Sequence, residues 1–244
     1  MKKKFILVIP ARLKSKRFPD KPLKKILGLP MIIRTAIQCE KAVGKENIII
    51  ATDSVKIVKV CNKHKFKAIL TKKTLTGTDR VSEIAKKIRA EYYINVQGDE
   101  PIFNPEDIKL LLKQIKNRKN EVLLGYTEIN DIKDVTNKNV PKVCFDKNSY
   151  LLYASRSVIP FNFTSKKIKY FRQVLAYAFP RKKLLKFSFY KKKDQIEKNE
   201  DIEILRFFKL GIKVKLIKMS NISHPVDRPE DIKIVEKLIL KKNL

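Results

Sequence analysis

The sequence predicts an α/β protein whose core is a mostly parallel sheet, and three observations support this class. The continuous apolar run at residues 5–9 is typical of a central parallel strand, which is buried on both faces. Apolar runs and helical patterns then alternate over about the first 115 residues, as in parallel strands joined by crossover helices. Later strands follow one another without long helices between them, which predicts a mixed, strand-rich second half.

The individual elements follow from the spacing of apolar residues and from Pro and Gly. In the first half we expect strands at residues 5–9, 48–52, 66–70 and 92–96, and helices at 31–43, 55–64, 81–89 and 105–116. In the second half we expect strands at 122–126, 142–145, 150–154, 171–179 and 212–217, and helices at 181–187, 197–209 and 229–241. No internal repeat or low-complexity linker occurs, so residues 1–244 are expected to form a single domain.

Composition narrows the class of protein. No apolar run approaches the ~18 residues that span a bilayer, so we expect no membrane insertion. The net charge of +31 would suit a nucleic-acid binder, but the lysines are scattered along the chain, so no specific nucleic-acid partner is expected. Cys39, Cys61 and Cys144 have neither disulfide nor metal-ligand spacing, which indicates reduced thiols and a cytoplasmic protein.

Residues 92–101, with the sequence YYINVQGDEP, change abruptly from a strand pattern to polar turn residues. In an open α/β sheet, ligands bind just past the carboxyl ends of the strands. Asp99 and Glu100 would lie at that position, where carboxylates suit a hard cation such as Mg²⁺. The same residues also suit an ordinary turn, and this stretch alone leaves both readings open.

The segment after the first strand, residues 10–23, is rich in cations and carries two stiffening prolines near its end. Arg12 and Lys21 are side chains of the kind that bind phosphate oxygens. The segment has neither the P-loop pattern nor the dinucleotide-binding glycine pattern. A solvated basic loop is the alternative, and the loop alone does not decide between the two.

Taken in order, these segments resemble the signature of sugar nucleotidyltransferases, specifically cytidylyltransferases that activate 3-deoxy-manno-octulosonate (KDO). The family pattern I-P-A-R-x-x-S-x-R-x-P-x-K-P-L is matched at Ile9, Pro10, Ala11, Arg12, Ser15, Arg17, Pro19, Lys21, Pro22 and Leu23. Further matches lie at residues 51–53 (ATD), 76–80 (TGTDR), 95–101 (NVQGDEP), 155–156 (SR), 159–160 (IP) and 226–231 (VDRPED). The matches are collinear and span nearly the whole chain, so they outweigh the turn and solvated-loop readings.

The resemblance implies a Rossmann-like nucleotide-binding sheet of the nucleotide-diphospho-sugar transferase type. Residues 1–118 would mainly bind CTP, and residues 119–244 would contribute acceptor binding and dimerisation. The implied activity is a Mg²⁺-dependent transfer of CMP from CTP to an acidic sugar, KDO or a related ulosonate, with release of pyrophosphate. Such a reaction serves surface polysaccharide synthesis, of lipopolysaccharide or capsule. The implied partners are CTP, the acidic sugar and a second copy of the chain in a homodimer.

The resemblance also assigns residues. It implies catalytic roles for Arg12, Lys21, Asp99 and Asp227, of which Asp99 and Asp227 would hold the metal. The implied nucleotide-binding residues are Pro10, Ala11, Arg12, Arg17, Lys21, Thr76, Gly77, Arg80 and Gln97. The implied acceptor-binding residues are Gln97, Arg156, Gln173, Tyr177, Glu200 and Glu203. No protein nucleophile is expected, because attack of a sugar hydroxyl on the α-phosphorus relies on positioning and charge neutralisation.

The acceptor half departs from the family pattern at three positions, of which one is Leu175 in place of a Gly and the other two change polar side chains. The family strand R-H-x-G-x-Y reads RQVLAY at residues 172–177, which places Gln173 at the His position. Ile204 stands where a later motif has Gln. We therefore expect these two residues to set acceptor choice and KDO to be used poorly. His224 lies three residues before Asp227 and is a candidate to approach the site.

Two alternatives to KDO activation stay open at the level of sequence. One is a cytidylyltransferase with another small acidic acceptor. The other, from a different class, is a non-catalytic relative that binds polyanions. The retention of Arg12, Lys21, Asp99 and Asp227 favours an enzyme over such a relative.

Overall fold

A nine-stranded sheet forms the centre of the molecule. The computed structural model describes residues 3–14, 18–164, 166–190, 192–220 and 222–242. The main path of the sheet runs through β5 (Ala68–Leu70), β4 (Ile48–Thr52), β1 (Lys3–Ala11), β6 (Ala90–Val96), β10 (Phe171–Pro180), β7 (Val122–Glu128) and β11 (Val214–Lys218). Along this path β10 is antiparallel to both neighbours, and the other pairs are parallel. The predicted mostly parallel α/β sheet is confirmed.

Two hairpins complete the strands. β8 (Lys142–Phe145) and β9 (Leu151–Ser155) pair antiparallel, and β8 joins the sheet at β10. β2 (Lys25–Ile26) and β3 (Leu29–Pro30) form a separate two-stranded ribbon. The β8–β9 hairpin and β10 lie beside the parallel half of the sheet, which confirms the mixed, strand-rich second half.

Helices cover both faces of the sheet. They are α1 (Met31–Val43), α2 (Val55–Lys63), α3 (Gly77–Lys87), α4 (Pro105–Asn117), α5 (Ile132–Thr136), α6 (Arg181–Phe187), α7 (Gln195–Glu200), α8 (Arg206–Lys209) and α9 (Pro229–Lys242). Side chains alternate along β1, so Ile6 and Val8 join a core with α3 and α6, whereas Leu7 and Ile9 join a core with α1, α2 and α4. No helix in the described ranges is long and apolar enough to cross a membrane.

A smaller core anchors the last helix. Val235 and Ile239 of α9 pack with Phe18, Met31 and Val226. This contact brings the chain just before α9 against the segment that follows β1. Residues about 200 positions apart in sequence therefore meet at one edge of the sheet, and this meeting builds the candidate site.

Most predicted elements are confirmed, two predicted helices differ for identifiable reasons, and α5 and the β2–β3 ribbon were not predicted. α3 begins at Gly77 because the Thr76 hydroxyl accepts a hydrogen bond from the Asp79 backbone N–H. The single helix predicted at residues 197–209 is wrong: Asp201 has φ 50°, which ends α7, and a 3₁₀ turn at Glu203–Leu205 precedes α8. The Asp131 side chain caps α5.

Candidate active site

The carboxyl ends of β1 and β6 form the floor of a small cavity of about 150 Å³. Its lining residues come from three distant parts of the chain: Pro10, Ala11, Arg12, Lys21, Pro22, Met31, Gln97, Gly98, Asp99 and Asp227. The structure thus brings together most of the residues that sequence assigns to the nucleotide, and both residues that it assigns to the metal. Arg17, another residue assigned to the nucleotide, lies outside the described residues.

Gly98 allows the two strand ends to converge. A β-carbon built at this position would lie 2.8 Å from the backbone oxygen of Pro10 and 3.1 Å from Ile32 Cδ1. Any other residue would push the segment after β6 away from the segment after β1. The close approach places Asp99 beside Lys21.

Lys21 lies between two carboxylates. Its Nζ donates to Asp99 Oδ2 at 2.7 Å and to the backbone oxygen of Val226 at 2.8 Å, and it lies 3.5 Å from Asp227 Oδ1. Burial by itself lowers the pKa of Lys21, but the charges of Asp99 and Asp227 outweigh it and the pKa is raised. Lys21 is therefore a permanent cation at this position.

The donor set fits a hard divalent cation. Asp99 Oδ1 is buried and accepts no hydrogen bond from any residue that the structure describes. A buried carboxylate oxygen without a partner is costly, and a bound cation would satisfy it. Among the described residues, no group of three or more His, Cys, Asp or Glu side chains is placed so that it could hold a metal ion by itself. Asp99 and Asp227 would thus bind the cation together with substrate oxygens or water, as Mg²⁺ sites often do.

A larger cavity of about 500 Å³ adjoins the small one, and Asp99 and Asp227 line both. Among its described lining residues, seven are acidic: Asp99, Glu100, Asp134, Asp201, Glu203, Asp227 and Asp231. Three are arginines: Arg156, Arg172 and Arg228. The cavity is acidic in a chain of net charge +31, so anionic substrates would need a cation there in addition to the arginines.

Two of the residues assigned to the acceptor form a structural cluster at the mouth of this cavity. Arg156 lines the cavity, but its guanidinium donates to the backbone oxygens of Lys138, Glu200 and Asp201. The Glu200 carboxylate accepts from Ser155 Oγ at 2.7 Å and from the Arg156 backbone N–H at 2.8 Å. Glu200 is not among the lining residues, so it fixes the position of Arg156 without contacting the cavity itself.

Gln173 and Tyr177, on β10, face the larger cavity, and Ile204 does not. Gln173 is 7% exposed, and its Oε1 is buried with no hydrogen-bond partner among the described residues. Burial raises the pKa of Tyr177 well above its ordinary value, and the charges of Glu203 and Asp99 add to that effect. Ile204 is 1% exposed and packs in the core beside α3 and α6. The expectation that Ile204 contacts the acceptor is therefore wrong.

Residues 76–78 and Glu203 meet at the start of α3. The Glu203 carboxylate accepts from the backbone N–H groups of Gly77 at 3.0 Å and Thr78 at 2.8 Å. A β-carbon at Gly77 would lie 3.1 Å from Gln97 Nε2, so this loop borders the small cavity through Gln97. Glu203, which sequence assigns to the acceptor, thus also holds the loop assigned to the nucleotide.

Arg80 has a different environment from the other residues assigned to the nucleotide. Its guanidinium is 2.8 Å from Asp53 Oδ2 and donates to Thr71 Oγ1 at 2.6 Å. It is 4% exposed and lines neither cavity. Arg80 thus ties the loop after β4 to α3 and joins the ATD segment to the TGTDR segment.

Comparison with known proteins places the chain in a family. The model of the cytidylyltransferase family matches residues 6–217. The chain belongs to the cytidylyltransferase family. A 3-deoxy-manno-octulosonate cytidylyltransferase from Koribacter versatilis is 36% identical over 242 residues, 98% of this chain and 92% of the relative. The enzyme of the same name from Chloroherpeton thalassium is 38% identical over 244 residues, 98% of this chain and 99% of the relative.

A solved structure supports the same family membership. The structure of CMP:2-keto-3-deoxy-manno-octonic acid synthetase complexed with CTP superposes with a TM-score of 0.90 and 31% identity, covering 98% of this chain and 99% of the other. This cytidylyltransferase is thus a nucleotidyltransferase whose fold and sequence match those of a CTP-bound relative along nearly the whole chain.

Arg172 and Ser223 line the larger cavity of this cytidylyltransferase and were given no role from the sequence, whereas Glu100 was named beside Asp99 as a candidate for the cation. Glu100 lines the same cavity, and Ser223 Oγ donates a short hydrogen bond to Glu100. Glu100 and Arg172 stand inside the motifs NVQGDEP and RQVLAY, so position within a motif was the available signal. Ser223 carries no such signal. His224 also lines the cavity, which confirms that it approaches the site.

Glu100 makes the stability of this cytidylyltransferase depend on pH. Burial raises the pKa of Glu100 to about 8, from an ordinary value of 4.5. The folded chain keeps the proton between these values and the unfolded chain releases it, so the stabilising contribution is complete below pH 4.5 and is lost towards pH 8. With Mg²⁺ chelated, we expect wild type to lose about 1 kcal/mol of unfolding free energy per pH unit relative to Glu100→Gln.

Urea unfolding of both proteins at pH 5, 6.5 and 8 measures this difference. The Gln variant is the matched control, because it keeps the shape of the protonated side chain and cannot titrate. An equal difference between the two proteins at all three pH values would contradict the protonated state of Glu100.

Proposed function

We propose that this cytidylyltransferase transfers CMP from CTP to KDO or a related acidic sugar and releases pyrophosphate, in surface polysaccharide synthesis. The main observation in support is that the two cavities adjoin and share two lining carboxylates. Asp99 and Asp227 line both the small cavity at the ends of β1 and β6 and the larger one beside β10. A donor nucleotide in the small cavity and an acceptor in the larger one would thus meet at these carboxylates.

In this proposal the chain acts by binding and orientation. Arg12 and Lys21, which line the small cavity, would neutralise phosphate oxygens of CTP. Gly98 would keep the ends of β1 and β6 close together beside the nucleotide. A hydroxyl of the acceptor, held by Arg172 and Gln173 in the larger cavity, would then face the α-phosphorus at the two shared carboxylates. Positioning of this kind supplies most of the rate in phosphoryl and nucleotidyl transfer.

A Mg²⁺ ion fits this arrangement, and Asp99 and Asp227 would hold it. When bound, it would offset the charge on the phosphate oxygens. The excess of carboxylates over arginines in the larger cavity supports the same requirement. Lys21 lies between the two carboxylates and would hold them in place before the ion binds.

A direct assay tests the proposal. The enzyme is incubated with CTP, Mg²⁺ and a panel of acidic sugars, KDO included, and pyrophosphate release is measured while mass spectrometry identifies the products. We expect a CMP-sugar to form with at least one acidic sugar, and no product without Mg²⁺. Polyanion binding with no CMP-sugar from any acceptor would instead support a non-catalytic relative.

Gln173 is expected to set acceptor choice without Ile204. Its unpaired Oε1 faces the larger cavity, where the resembling family has His. The imidazole places its N–H group differently from the amide, so Gln173→His should restore one hydrogen bond to KDO and raise kcat/KM for it by ~5- to 150-fold, the value of a hydrogen bond of 1–3 kcal/mol. KM for CTP should stay nearly constant, because Gln173 does not line the small cavity.

Ile204→Gln is the contrasting variant. It places an amide in the core, so it should lower stability by about 2 kcal/mol or more without any gain for KDO. The assignment of Gln173 would be wrong if KDO were already the best acceptor of wild type and Gln173→His gained nothing.

We infer a homodimer through the second half of the chain. Between β9 and β10, Phe161 and Phe163 are 79% and 88% exposed and lie two residues apart, and exposed apolar residues grouped together, rather than a single one, mark interaction sites. The wild-type enzyme should therefore elute as a dimer of about 57 kDa, twice the chain mass of 28.5 kDa. Phe161→Ser with Phe163→Ser should shift light scattering to the monomer mass.

Phe189→Ser is the matched control for the dimer, since Phe189 is 82% exposed but lies after α6. It should leave the mass unchanged. A wild-type protein that stays monomeric at micromolar concentration would contradict the dimer.

We infer that residues 1–118 mainly serve CTP binding and residues 119–244 serve acceptor binding and dimerisation within one domain. Asp227 and Asp99 each cross this division, because each lines both cavities.

A cytoplasmic location is also part of the proposal. The thiols of Cys39 and Cys61 are buried, and burial raises the pKa of Cys61 to about 12. Such unreactive thiols suit a reducing compartment.

A further inference from the structure

A third groove lies at the end of the sheet opposite to the catalytic edge. It has a volume of about 790 Å³ and is bounded by the amino ends of β1 and β6, the last turns of α4 and the start of α6. Apolar side chains form much of its surface: Phe5, Tyr92, Leu112, Ile115 and Pro180. The volume lies within the range of about 300–1,000 Å³ that is usual for small-molecule sites. None of these residues belongs to the proposed catalytic machinery.

Cations surround this apolar surface. The described lining residues include six of them: Lys4, Arg89, Lys116, Lys119, Arg181 and Lys182. Glu91 is the one carboxylate in that described set. The larger catalytic cavity of the same chain has the opposite balance, with six carboxylates besides the protonated Glu100 and three arginines. The basic character of the groove is therefore a local feature and does not simply repeat the net charge.

We propose that this groove binds an amphipathic organic anion. A hydrocarbon chain would lie on Phe5, Leu112 and Ile115, and a carboxylate or phosphate head group would meet the lysines and arginines of the rim. The apolar surface and the cationic rim each match one part of such a ligand. An inorganic anion would leave the apolar surface unused, and a neutral hydrocarbon would leave the cations unused.

The polar inventory of the groove favours a hydrocarbon ligand over a peptide. Asn120 is the one neutral side chain with amide or hydroxyl groups among the described lining residues, apart from Tyr92, whose hydroxyl donates to the backbone oxygen of Arg118. A bound peptide brings an N–H and a C=O group with almost every residue, and buried groups of this kind need partners. A hydrocarbon chain has no such need.

Calorimetric titration of the full-length enzyme tests the proposal, with decyl phosphate and decanoate as probes below their critical micelle concentrations. At least one of the two anions should bind at least ~10-fold more tightly than decanol or inorganic phosphate, because only the anions use both parts of the groove. Comparing the two head groups separates a phosphate-bearing from a carboxylate-bearing ligand. Saturating CTP should leave the affinity unchanged, since the groove lies at the other end of the sheet.

Charge-reversal variants locate the binding. Lys116→Glu with Lys182→Glu changes two rim residues and should weaken binding of the decyl anion at least ~10-fold. Lys113→Glu with Lys186→Glu is the matched control: it makes the same change in net charge, on the same two helices, at exposed residues that do not line the groove. The control should change the affinity less than 2-fold, and both variants should keep wild-type cytidylyltransferase activity.

Several outcomes would overturn the proposal. Equal weakening in the control variant would show non-specific attraction to a basic protein. Competition by CTP would place the anion at the catalytic edge. Binding of neither decyl anion, or tight binding of a peptide of alternating Asp and Leu in their place, would remove the amphipathic anion as the ligand.

Discussion

Asp99→Asn and Asp227→Asn are each expected to lower kcat at least ~100-fold while the fold stays intact. Each substitution removes one negative charge from the wall that the two cavities share and leaves an amide of the same shape. The amide is a weak ligand for Mg²⁺, and it no longer balances the cation of Lys21, which lies 2.7 Å from Asp99. Steady-state kinetics over a range of Mg²⁺ concentrations measures the effect.

Asp134→Asn provides the comparison, because Asp134 lines the larger cavity but not the small one. It should lower kcat far less than either shared carboxylate does. High Mg²⁺ should partly restore kcat of Asp99→Asn and Asp227→Asn and should leave kcat of Asp134→Asn unchanged. Wild-type rates for Asp99→Asn and Asp227→Asn at limiting Mg²⁺ would contradict the metal assignment.

Arg206→Met is expected to lower the free energy of unfolding by about 3–5 kcal/mol. Arg206 is fully buried and lies 2.6 Å from Glu197 Oε1 and 2.8 Å from Asp79 Oδ1. Its guanidinium also stacks 4.0 Å from the Phe187 ring centre. The substitution leaves two buried carboxylates without their cation, and this penalty exceeds the loss of the ion pairs themselves.

Two further variants isolate that cause. Adding Glu197→Gln to Arg206→Met removes one buried, unpaired negative charge, so urea unfolding should show that part of the lost stability is recovered. Lys86→Met breaks the Lys86–Glu83 ion pair on the surface of α3, where Lys86 is 49% exposed, and should cost less than about 1 kcal/mol. A loss of similar size for Arg206→Met and Lys86→Met would mean that the buried cluster is not a main source of stability.

The cluster of Arg206, Asp79 and Glu197 also links the segment around α7 and α8 to the loop at the start of α3. Asp79, which binds Arg206, accepts a hydrogen bond from the Thr76 hydroxyl at 2.8 Å. Thr76 and Gly77 belong to the loop assigned to the nucleotide, and Glu203 binds the same loop from the segment before α8. The segment at residues 195–209 therefore supports the loop on which CTP binding is proposed to depend.

Local patterns were enough to predict most of the fold. α1 at Met31–Val43 and β4 at Ile48–Thr52 have the predicted bounds, because apolar periodicity and Pro30 act within a few residues of chain. The meeting of the basic segment after β1 with Asp99 past β6 was also predictable, since parallel strands end at the same edge of a sheet.

Contacts between distant residues could not be predicted in this way. Lys21 meets Asp99 across 78 positions and the carbonyl of Val226 across 205, and these meetings depend on how α9 packs against the segment after β1. The side-chain direction of Ile204 depended on the break at Asp201, where a left-handed backbone replaced the expected helix. Motif position placed Gln173 and Ile204 alike near the acceptor, but packing turned Gln173 towards the cavity and Ile204 into the core, because a buried apolar side chain is stabilised by its neighbours in space.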